Sequence, residues 1–267
     1  MNTGFPTPSS RANGPHPLEG DPRPAADTPI RAALQFPTIR PVVTYILLIV
    51  TILVFLAQMG TQYFLSVDLP SALGVKANTL IVRGQLWRLF TPMFLHGSIL
   101  HIAFNMYALY HVGRRLERFN GHFRFAVLYG LAGFAGNVAS FLMTPAASLG
   151  SSTAIFGLLG AEAVFLYCNR SLFGGVGRRA LNNILMVAGI NLLLGLSPGI
   201  DNWGHVGGLI GGTLFAWFAG PLLRIEGFYP TLSLVDERET RNTILAGIGV
   251  GGIFAVLAGI LIILRGQ

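Results

Sequence analysis

Two short segments combine a potential nucleophile or base with glycines, and each lies where a long apolar stretch begins. Ser152 lies in the segment 150–157, GSSTAIFG, and His205 lies in the segment 204–208, GHVGG. A serine hydroxyl is a poor nucleophile at neutral pH and becomes reactive when a nearby imidazole accepts its proton. Ionisable side chains within a bilayer are costly and are therefore functional candidates. The pair predicts nucleophilic chemistry at a site where water is scarce.

The composition predicts that these residues lie on membrane helices. The chain has 267 residues, of which 52% are hydrophobic and 11% are charged, whereas soluble domains carry about 25% charged residues. A membrane-spanning helix needs about 20 apolar residues. We expect an all-α polytopic transmembrane helix bundle with seven helices, near residues 41–59, 98–113, 123–143, 152–168, 181–197, 203–223 and 243–264.

The net charge of +7 is explained by membrane topology. Basic residues are dispersed among short loops without a basic stripe, so no nucleic-acid partner is expected. Most arginines fall in the segments 1–40, 114–122, 169–180 and 224–242, which share one side of the predicted bundle. The positive-inside rule then places the N-terminus in the cytoplasm and the C-terminus outside.

This topology sorts the histidines by depth. Predicted helices 2, 4 and 6 all run inward, so the residues near their N-terminal ends share the outer half of the membrane. That outer half holds His96, His101, Asn105, Ser152 and His205, while His16, His111 and His122 lie at or beyond the cytoplasmic side. His101 and Asn105 are four residues apart and therefore share one helix face.

Each of these residues also has a structural interpretation. Ser152 could cap its helix, because serine is a preferred N-cap residue. His205 and Asn105 could serve only as hydrogen-bonding partners between helices. No metal or other cofactor is expected, because the H-E-x-x-H pattern of helical zinc sites is absent from the sequence.

With these motifs in this order, residues 41–225 resemble the rhomboid intramembrane serine proteases. The motifs are Trp87-Arg88, His96, His101-x-x-x-Asn105, Glu117, Gly121, Arg124-Phe125, Gly150-x-Ser152, Gly157 and His205-Val206-Gly207-Gly208. The resemblance implies a six-helix rhomboid core followed by a seventh C-terminal helix. It also implies that Ser152 is the nucleophile and His205 the general base of a dyad. In this scheme His101, Asn105 and the Ser152 backbone N–H stabilise the transition state as an oxyanion hole.

Two further residues are expected to support the site, and two depart from the family pattern. Phe156 lies four residues after Ser152 and is expected to pack under the His205 ring. His96 is expected to be a supporting residue, either structural or next to the oxyanion hole. Thr153 stands where the family usually has glycine, and Gly204 stands where it usually has alanine.

The sequence also predicts a division of the chain. We expect a disordered cytoplasmic tail at 1–35, a catalytic core at 36–225, a cytoplasmic linker at 226–242 and the seventh helix at 243–267. Within the linker, the charged run 236–239 is expected to be solvated. Glu117 is expected to pair with Arg114, Arg115 or Arg118. Glycines on predicted helices 4 and 6 predict their close approach.

The resemblance implies a serine endopeptidase that cleaves transmembrane segments of single-span membrane proteins near their outer boundary. The predicted location is a bacterial plasma (inner) membrane, with the lipid bilayer and such substrates as partners. The fifth helix and the loop at 197–199 are the expected gate. The alternative is a catalytically impaired rhomboid-like protein that binds membrane helices. A transporter is disfavoured, because no inverted repeat is evident and charge within the predicted helices is nearly limited to Glu162.

Overall fold

The computed structural model describes residue 1 and residues 39–228 and 231–267. The predicted tail at 1–35 therefore lies outside the described residues, apart from Met1. The α-helices are α1 Val42–Leu65, α2 Leu69–Gly74, α3 Asn78–Val82, α4 Ile99–Ala108, α5 Arg114–Met143, α6 Ser152–Cys168, α7 Arg170–Leu194, α8 Asn202–Ala219 and α9 Thr240–Gly266. Two 3₁₀ turns, Leu86–Leu89 and Thr91–Phe94, precede α4, and a π-helical turn, Leu109–Gly113, joins α4 to α5. The predicted all-α bundle is confirmed.

Three helices of the described chain are long and apolar enough to cross a membrane by themselves. They are Val42–Leu65, the helical stretch Ile99–Met143, which is kinked at Gly121 (φ 74°, ψ 166°), and Thr240–Gly266. The apolar helix α6 is shorter, and most of its residues are buried by its neighbours. A helix that is apolar all round belongs in the interior of a bundle, so α6 is the central helix.

Glycines allow α8 to pack directly against α6. A Cβ atom added at Gly212 would overlap the backbone of Gly157, and one added at Gly208 would overlap the carbonyl group of Thr153. Small residues at a helix interface permit this close backbone approach in membranes. The two helices that carry the serine and the histidine therefore pack backbone against backbone at these glycines.

Between α1 and α4 the chain folds into short helices and turns fixed by side-chain donors. The buried Arg88 guanidinium donates to the carbonyls of Val75 and Ala72 at 2.8 and 2.7 Å. The half-exposed Trp87 donates from Nε1 to the Leu73 carbonyl at 3.0 Å. These bonds order the segment that leads into α4.

A β-hairpin overlaps the predicted linker at 226–242, and Asp236 and Arg238 of the charged run are not solvated as expected. Strand β1, Leu223–Phe228, pairs antiparallel with β2, Thr231–Asp236. Asp236 forms an ion pair with the buried Arg124 of α5 at 2.6 Å. The solvated interpretation is wrong for Asp236, because a buried guanidinium left without a partner would be strongly destabilising.

Glu117 also differs from expectation. Its side chain is fully buried and accepts from the backbone N–H groups of Val43 and Thr44, both at 2.8 Å, and from the Thr44 hydroxyl at 2.6 Å. His122 Nδ1 lies 2.6 Å from the same carboxylate. The predicted arginine pair is wrong because the first turn of α1 offers N–H groups without helical partners, which favour a carboxylate.

Candidate active site

Ser152 and His205 lie within hydrogen-bond distance of each other. His205 Nε2 is 2.8 Å from Ser152 Oγ. Ser152 is the first residue of α6, whose N-cap residue is Ser151, and no side-chain cap hydrogen bond is formed there. The Ser152 hydroxyl therefore faces α8 and does not cap its own helix. This arrangement can activate a hydroxyl for nucleophilic attack.

The ring of Phe156 supports the His205 imidazole. The two ring centroids are 4.3 Å apart with an angle of 13° between the planes, which is a stacked geometry. His205 Nδ1 has no hydrogen-bond partner among the described residues. Within that part of the chain, aromatic stacking takes the orienting role that a carboxylate has in a Ser-His-Asp triad.

Asp201 joins the helix of His205 to the segment that leads to Ser152. It caps α8 by accepting from the Gly204 N–H at 3.1 Å, and it also accepts from the hydroxyls of Ser140 and, at 2.8 Å, Thr144. Burial alone would raise the pKa of Asp201, but hydrogen bonds from Ser140, Ser148, Thr144 and the Gly204 N–H outweigh burial and hold it below its usual range. Sequence reasoning missed Asp201, although an aspartate directly before a predicted helix is a strong N-cap candidate.

Lys76 anchors the loop between α5 and α6 from the other side. Its side chain is fully buried, and its ammonium group donates to the carbonyls of Thr144 and Ala146, both at 2.7 Å. The backbones of Lys76 and Ser148 also exchange hydrogen bonds at 3.0 and 3.2 Å. Burial lowers the pKa of Lys76 to about 8, and the Asp201 carboxylate opposes this shift.

The C-terminal end of α9 contacts the same region. Arg265 donates to the carbonyls of Phe141 and Leu142, at 2.7 and 2.8 Å, in the last turn of α5. A basic side chain at this position satisfies carbonyls that have no helical partner. The loop that leads to Ser152 thus leaves α5 at a point tied to both Lys76 and α9.

His101 and Asn105 line the same cavity as Ser152 and His205. The backbone N–H of His101 donates to Ser98 Oγ at 3.1 Å, which starts α4. Gly150 has φ +133°, and a Cβ atom there would lie 2.8 Å from the His101 ring, so glycine keeps this approach open. Asn105 Nδ2 donates to the His101 carbonyl at 2.9 Å.

His96 contacts the neighbouring serine and not Ser152. Its Nε2 lies 3.1 Å from Ser151 Oγ, and its ring meets the His101 ring edge-on at 5.0 Å between centroids. The side chain is almost fully buried. His96 therefore contacts His101 and Ser151, and it forms no hydrogen bond with Ser152 or His205.

The two departures from the family pattern are in contact with each other. A Cβ atom added at Gly204 would lie 3.0 Å from Thr153 Cγ2. Thr153 also packs against Gly136 of α5, where an added Cβ atom would lie 2.7 Å from the Thr153 Cβ. The larger side chain at 153 therefore occupies space that the missing methyl group at 204 leaves free.

A cavity of about 710 Å³ is lined by Ser152 and His205 at one end and by residues of α4 and α7 along its length. It is lined by Phe104 and Tyr107 of α4, His111 of the following turn, and Val187, Asn191 and Leu194 of α7. The walls are mainly apolar, with polar groups concentrated near Ser152. No group of three metal-binding side chains lies close together within the described ranges.

Comparison with known proteins shows the family to which this chain belongs. A model of the rhomboid domain matches residues 83–222. The chain is 37% identical over 223 residues to the rhomboid protease GluP of Bacillus subtilis (strain 168), covering 83% of this chain and 42% of that protein. It is 38% identical over 139 residues to RHOMBOID-like protein 7 of Arabidopsis thaliana, covering 52% and 44%. For Rhomboid-like protease 3 of Toxoplasma gondii, the identity is 39% over 132 residues, covering 48% and 49%.

The chain thus spans less than half the length of these curated relatives. The domain match nevertheless covers more than half of this chain and includes His96, His101, Asn105, Ser152 and His205. Together with its long apolar helices, this match identifies the chain as a multi-pass membrane protein of the rhomboid family.

Proposed function

We propose that this protein is an intramembrane serine endopeptidase that cleaves transmembrane segments of single-span membrane proteins near their outer boundary. The observation that carries the proposal is the 2.8 Å contact between Ser152 Oγ and His205 Nε2, at one end of a mainly apolar cavity. A bacterial relative and a Toxoplasma relative named as proteases support the same activity.

In the proposed mechanism Ser152 Oγ attacks the scissile carbonyl while His205 Nε2 accepts the hydroxyl proton. The imidazolium then gives that proton to the leaving amine, and water hydrolyses the acyl-enzyme in a second round of the same chemistry. His101, Asn105 and the Ser152 N–H stabilise the negative charge that develops on the carbonyl oxygen. Each such donor contributes about 2.7–4 kcal/mol in comparable soluble enzymes.

The cavity suits a substrate that enters from the bilayer. Because a helix hides its carbonyls in internal hydrogen bonds, the cleaved segment must unwind locally before attack. The cavity between α4 and α7 offers a lateral route, with α7 and the loop at 197–199 as the gate. The apolar walls favour a membrane segment over a soluble peptide.

We further propose a bacterial plasma membrane as the location, with a cytoplasmic N-terminus and an outer C-terminus. The arginine-rich segments 114–122 and 169–180 support this orientation through the positive-inside rule. The dyad then lies in the outer half of the membrane. The core at 36–225, the linker at 226–242 and the helix at 243–267 remain our proposed division of the chain.

Cleavage is tested by co-expressing the protein with a panel of tagged single-span membrane proteins. We expect at least one substrate to be cut at its outer boundary by the wild type and to stay intact with Ser152→Ala. Mass spectrometry of the fragment ends gives the cleavage depth. A cut that persists in Ser152→Ala, or one in the cytoplasmic half, contradicts the proposal.

Fluorophosphonate labelling tests the dyad without a substrate. We expect labelling of the detergent-solubilised protein that is lost in Ser152→Ala and in His205→Ala. Ser151→Ala is the matched control, because it removes the adjacent hydroxyl but leaves the contact of Ser152 with His205. If the folded wild-type protein takes up no label, the protease proposal fails, and the alternative of a non-hydrolytic binder of membrane helices is favoured.

A further inference from the structure

A second pocket, of about 250 Å³, lies at the end of α4 and the start of α5, remote from the dyad. It is lined by Tyr110, His111, Arg114, Arg115 and Arg118, and we call it the arginine pocket. Tyr110, Arg114 and Arg118 follow one another at intervals of four residues, which places them along one side of the helix. The π-helical turn Leu109–Gly113 supplies the first two lining residues.

The positive charge in this pocket is only partly balanced. Arg115 forms an ion pair with the buried Glu162 of α6. Glu117 is engaged by the start of α1 and by His122. Arg114 and Arg118 have no carboxylate partner within the described residues, and the buried Arg114 Nε has no hydrogen-bond partner there. A buried donor without an acceptor is costly, so an acceptor from outside the described chain is expected.

Two aromatic rings orient the Arg114 guanidinium group for such an acceptor. Its Cζ atom lies 4.4 Å from the centroid of the Tyr110 ring and 5.9 Å from that of the Tyr45 ring on α1. Stacking fixes the plane of a guanidinium group and leaves its N–H edge available for a planar or tetrahedral anion. Less side-chain entropy is then lost when an anion binds.

The arginine pocket adjoins the apolar cavity that contains the dyad. His111 lines both. Beyond His111, the walls of the cavity are formed by Tyr107, Ala108, Val112 and Leu159. An anion site beside an apolar slot fits a ligand with a charged head and a hydrocarbon chain better than it fits a free inorganic anion.

We propose that Arg114 and Arg118 bind the phosphate of an anionic phospholipid, whose acyl chain lies along the lower end of the cavity. Basic pockets between transmembrane helices are a recognised form of lipid headgroup site. Guanidinium groups bind phosphate through paired charge-assisted hydrogen bonds. A lipid held there shares the cavity with an entering substrate at the end opposite to the dyad.

Native mass spectrometry of the full chain in detergent tests the proposal without reference to proteolysis. Phosphatidylglycerol, phosphatidylcholine and inorganic phosphate are the three probes. We expect phosphatidylglycerol to bind about tenfold more tightly than phosphatidylcholine, because it keeps the anionic phosphate without a compensating ammonium group. An equal concentration of inorganic phosphate should not displace it.

Two double variants separate a specific site from general positive charge. Arg114→Gln/Arg118→Gln should weaken phosphatidylglycerol binding about tenfold. Arg178→Gln/Arg179→Gln removes the same charge from two exposed residues of α7 and should change binding less than about twofold. Arg118 is exposed and has no ion-pair partner within the described residues, so Arg118→Gln alone should keep the wild-type unfolding temperature in detergent and still weaken phosphatidylglycerol binding.

Three outcomes would overturn the proposal. The first is equal binding of the two lipids. The second is an equal loss in the α7 double variant, which would indicate charge attraction without a site. The third is displacement of phosphatidylglycerol by inorganic phosphate at equal concentration, which would indicate a site for a free anion.

Discussion

The contact between α6 and α8 differs sharply from the setting of α7, although all three helices contain glycines. Gly157, Gly208 and Gly212 lie where another backbone would collide with any added side chain, whereas an added Cβ atom at Gly189 of α7 would meet nothing within 4 Å. On α7, only Gly177, Ile184 and Ala188 are buried. Glycine therefore allows backbone contact between α6 and α8, whereas Gly189 of α7 makes no such contact and few residues of α7 are buried.

The two sides of the cavity therefore differ in how tightly their helices are packed. Ser152 and His205 lie on opposite helices of the tightly packed pair, so their 2.8 Å contact depends on backbone packing as well as on side chains. The opposite wall belongs to α7, which exposes large apolar side chains such as Leu193 and Met186. A tightly packed helix pair facing a helix with few buried residues is the arrangement that the proposed entry of a peptide segment beside α7 requires.

The largest expected effect comes from adding a methyl group within the tight pair. Gly212→Ala should lower the free energy of unfolding by about 1–3 kcal/mol and strongly reduce activity, because the new Cβ atom overlaps the Gly157 backbone. Thermal unfolding in detergent and substrate cleavage are the measurements. Gly189→Ala is the matched control on α7 and should be neutral or stabilising by up to about 1 kcal/mol. Similar losses in both variants would contradict the comparison.

The next effect concerns Asp201, which caps the N-terminal end of α8 in the tight pair. Asp201→Ala should cost about 0.5–2 kcal/mol at neutral pH, because α8 loses its N-cap. Since the folded-state pKa of Asp201 is lowered from 3.8, its ionised form adds stability above about pH 4, and this is lost as the pH falls through the lower folded value.

Unfolding midpoints measured between pH 3 and 7 check the sign of this dependence. The wild type should lose more stability on acidification than Asp201→Asn, which keeps a capping oxygen but cannot titrate. Parallel pH profiles for the two proteins would exclude a contribution from the Asp201 carboxylate.

A smaller, non-additive effect is expected between Thr153 and Gly204. Gly204→Ala should be destabilising alone, because its Cβ atom would lie 3.0 Å from Thr153 Cγ2. In a Thr153→Ala background the same change should be better tolerated, with an interaction energy of about 1 kcal/mol. A double-mutant cycle by thermal unfolding measures this energy. Strict additivity would mean that the two departures from the family pattern are independent.

The smallest effect on stability is expected on α7. Val187→Ala should change the free energy of unfolding by less than about 0.5 kcal/mol, because this side chain is largely exposed. It lines the cavity, so a shorter side chain should speed substrate cleavage. Val176→Ala is the control, since Val176 is exposed but is absent from the cavity wall. Equal cleavage by the two variants would argue against α7 as the gate.

Local patterns predicted the helical fold and the close helix pair. Apolar runs of sufficient length indicated the bundle, and the glycines of α6 and α8 indicated close packing. Depth along the predicted helices also grouped Ser152, His205, His101 and Asn105, which the structure brings to one cavity. Their catalytic roles stay predictions.

Contacts between distant segments were less accessible from the sequence. Spacing places Glu117 near arginines on its own helix, but the free N–H groups of α1 compete for it from another helix. The buried partner of Asp236 lies on α5, and Lys76 binds carbonyls of a loop far along the chain. Such partners depend on tertiary packing, and residue spacing along a single helix does not predict them.

The hydrogen bonds from Arg265 to the end of α5 can form only late in the synthesis and folding of the chain. The ribosome makes the N-terminal part of a chain first, so the carbonyls of Phe141 and Leu142 are synthesised long before the guanidinium group that binds them. Until α9 has crossed the bilayer, the last turn of α5 lacks these donors. The anchoring of the loop that leads to Ser152 is therefore complete only when the final helix is in place.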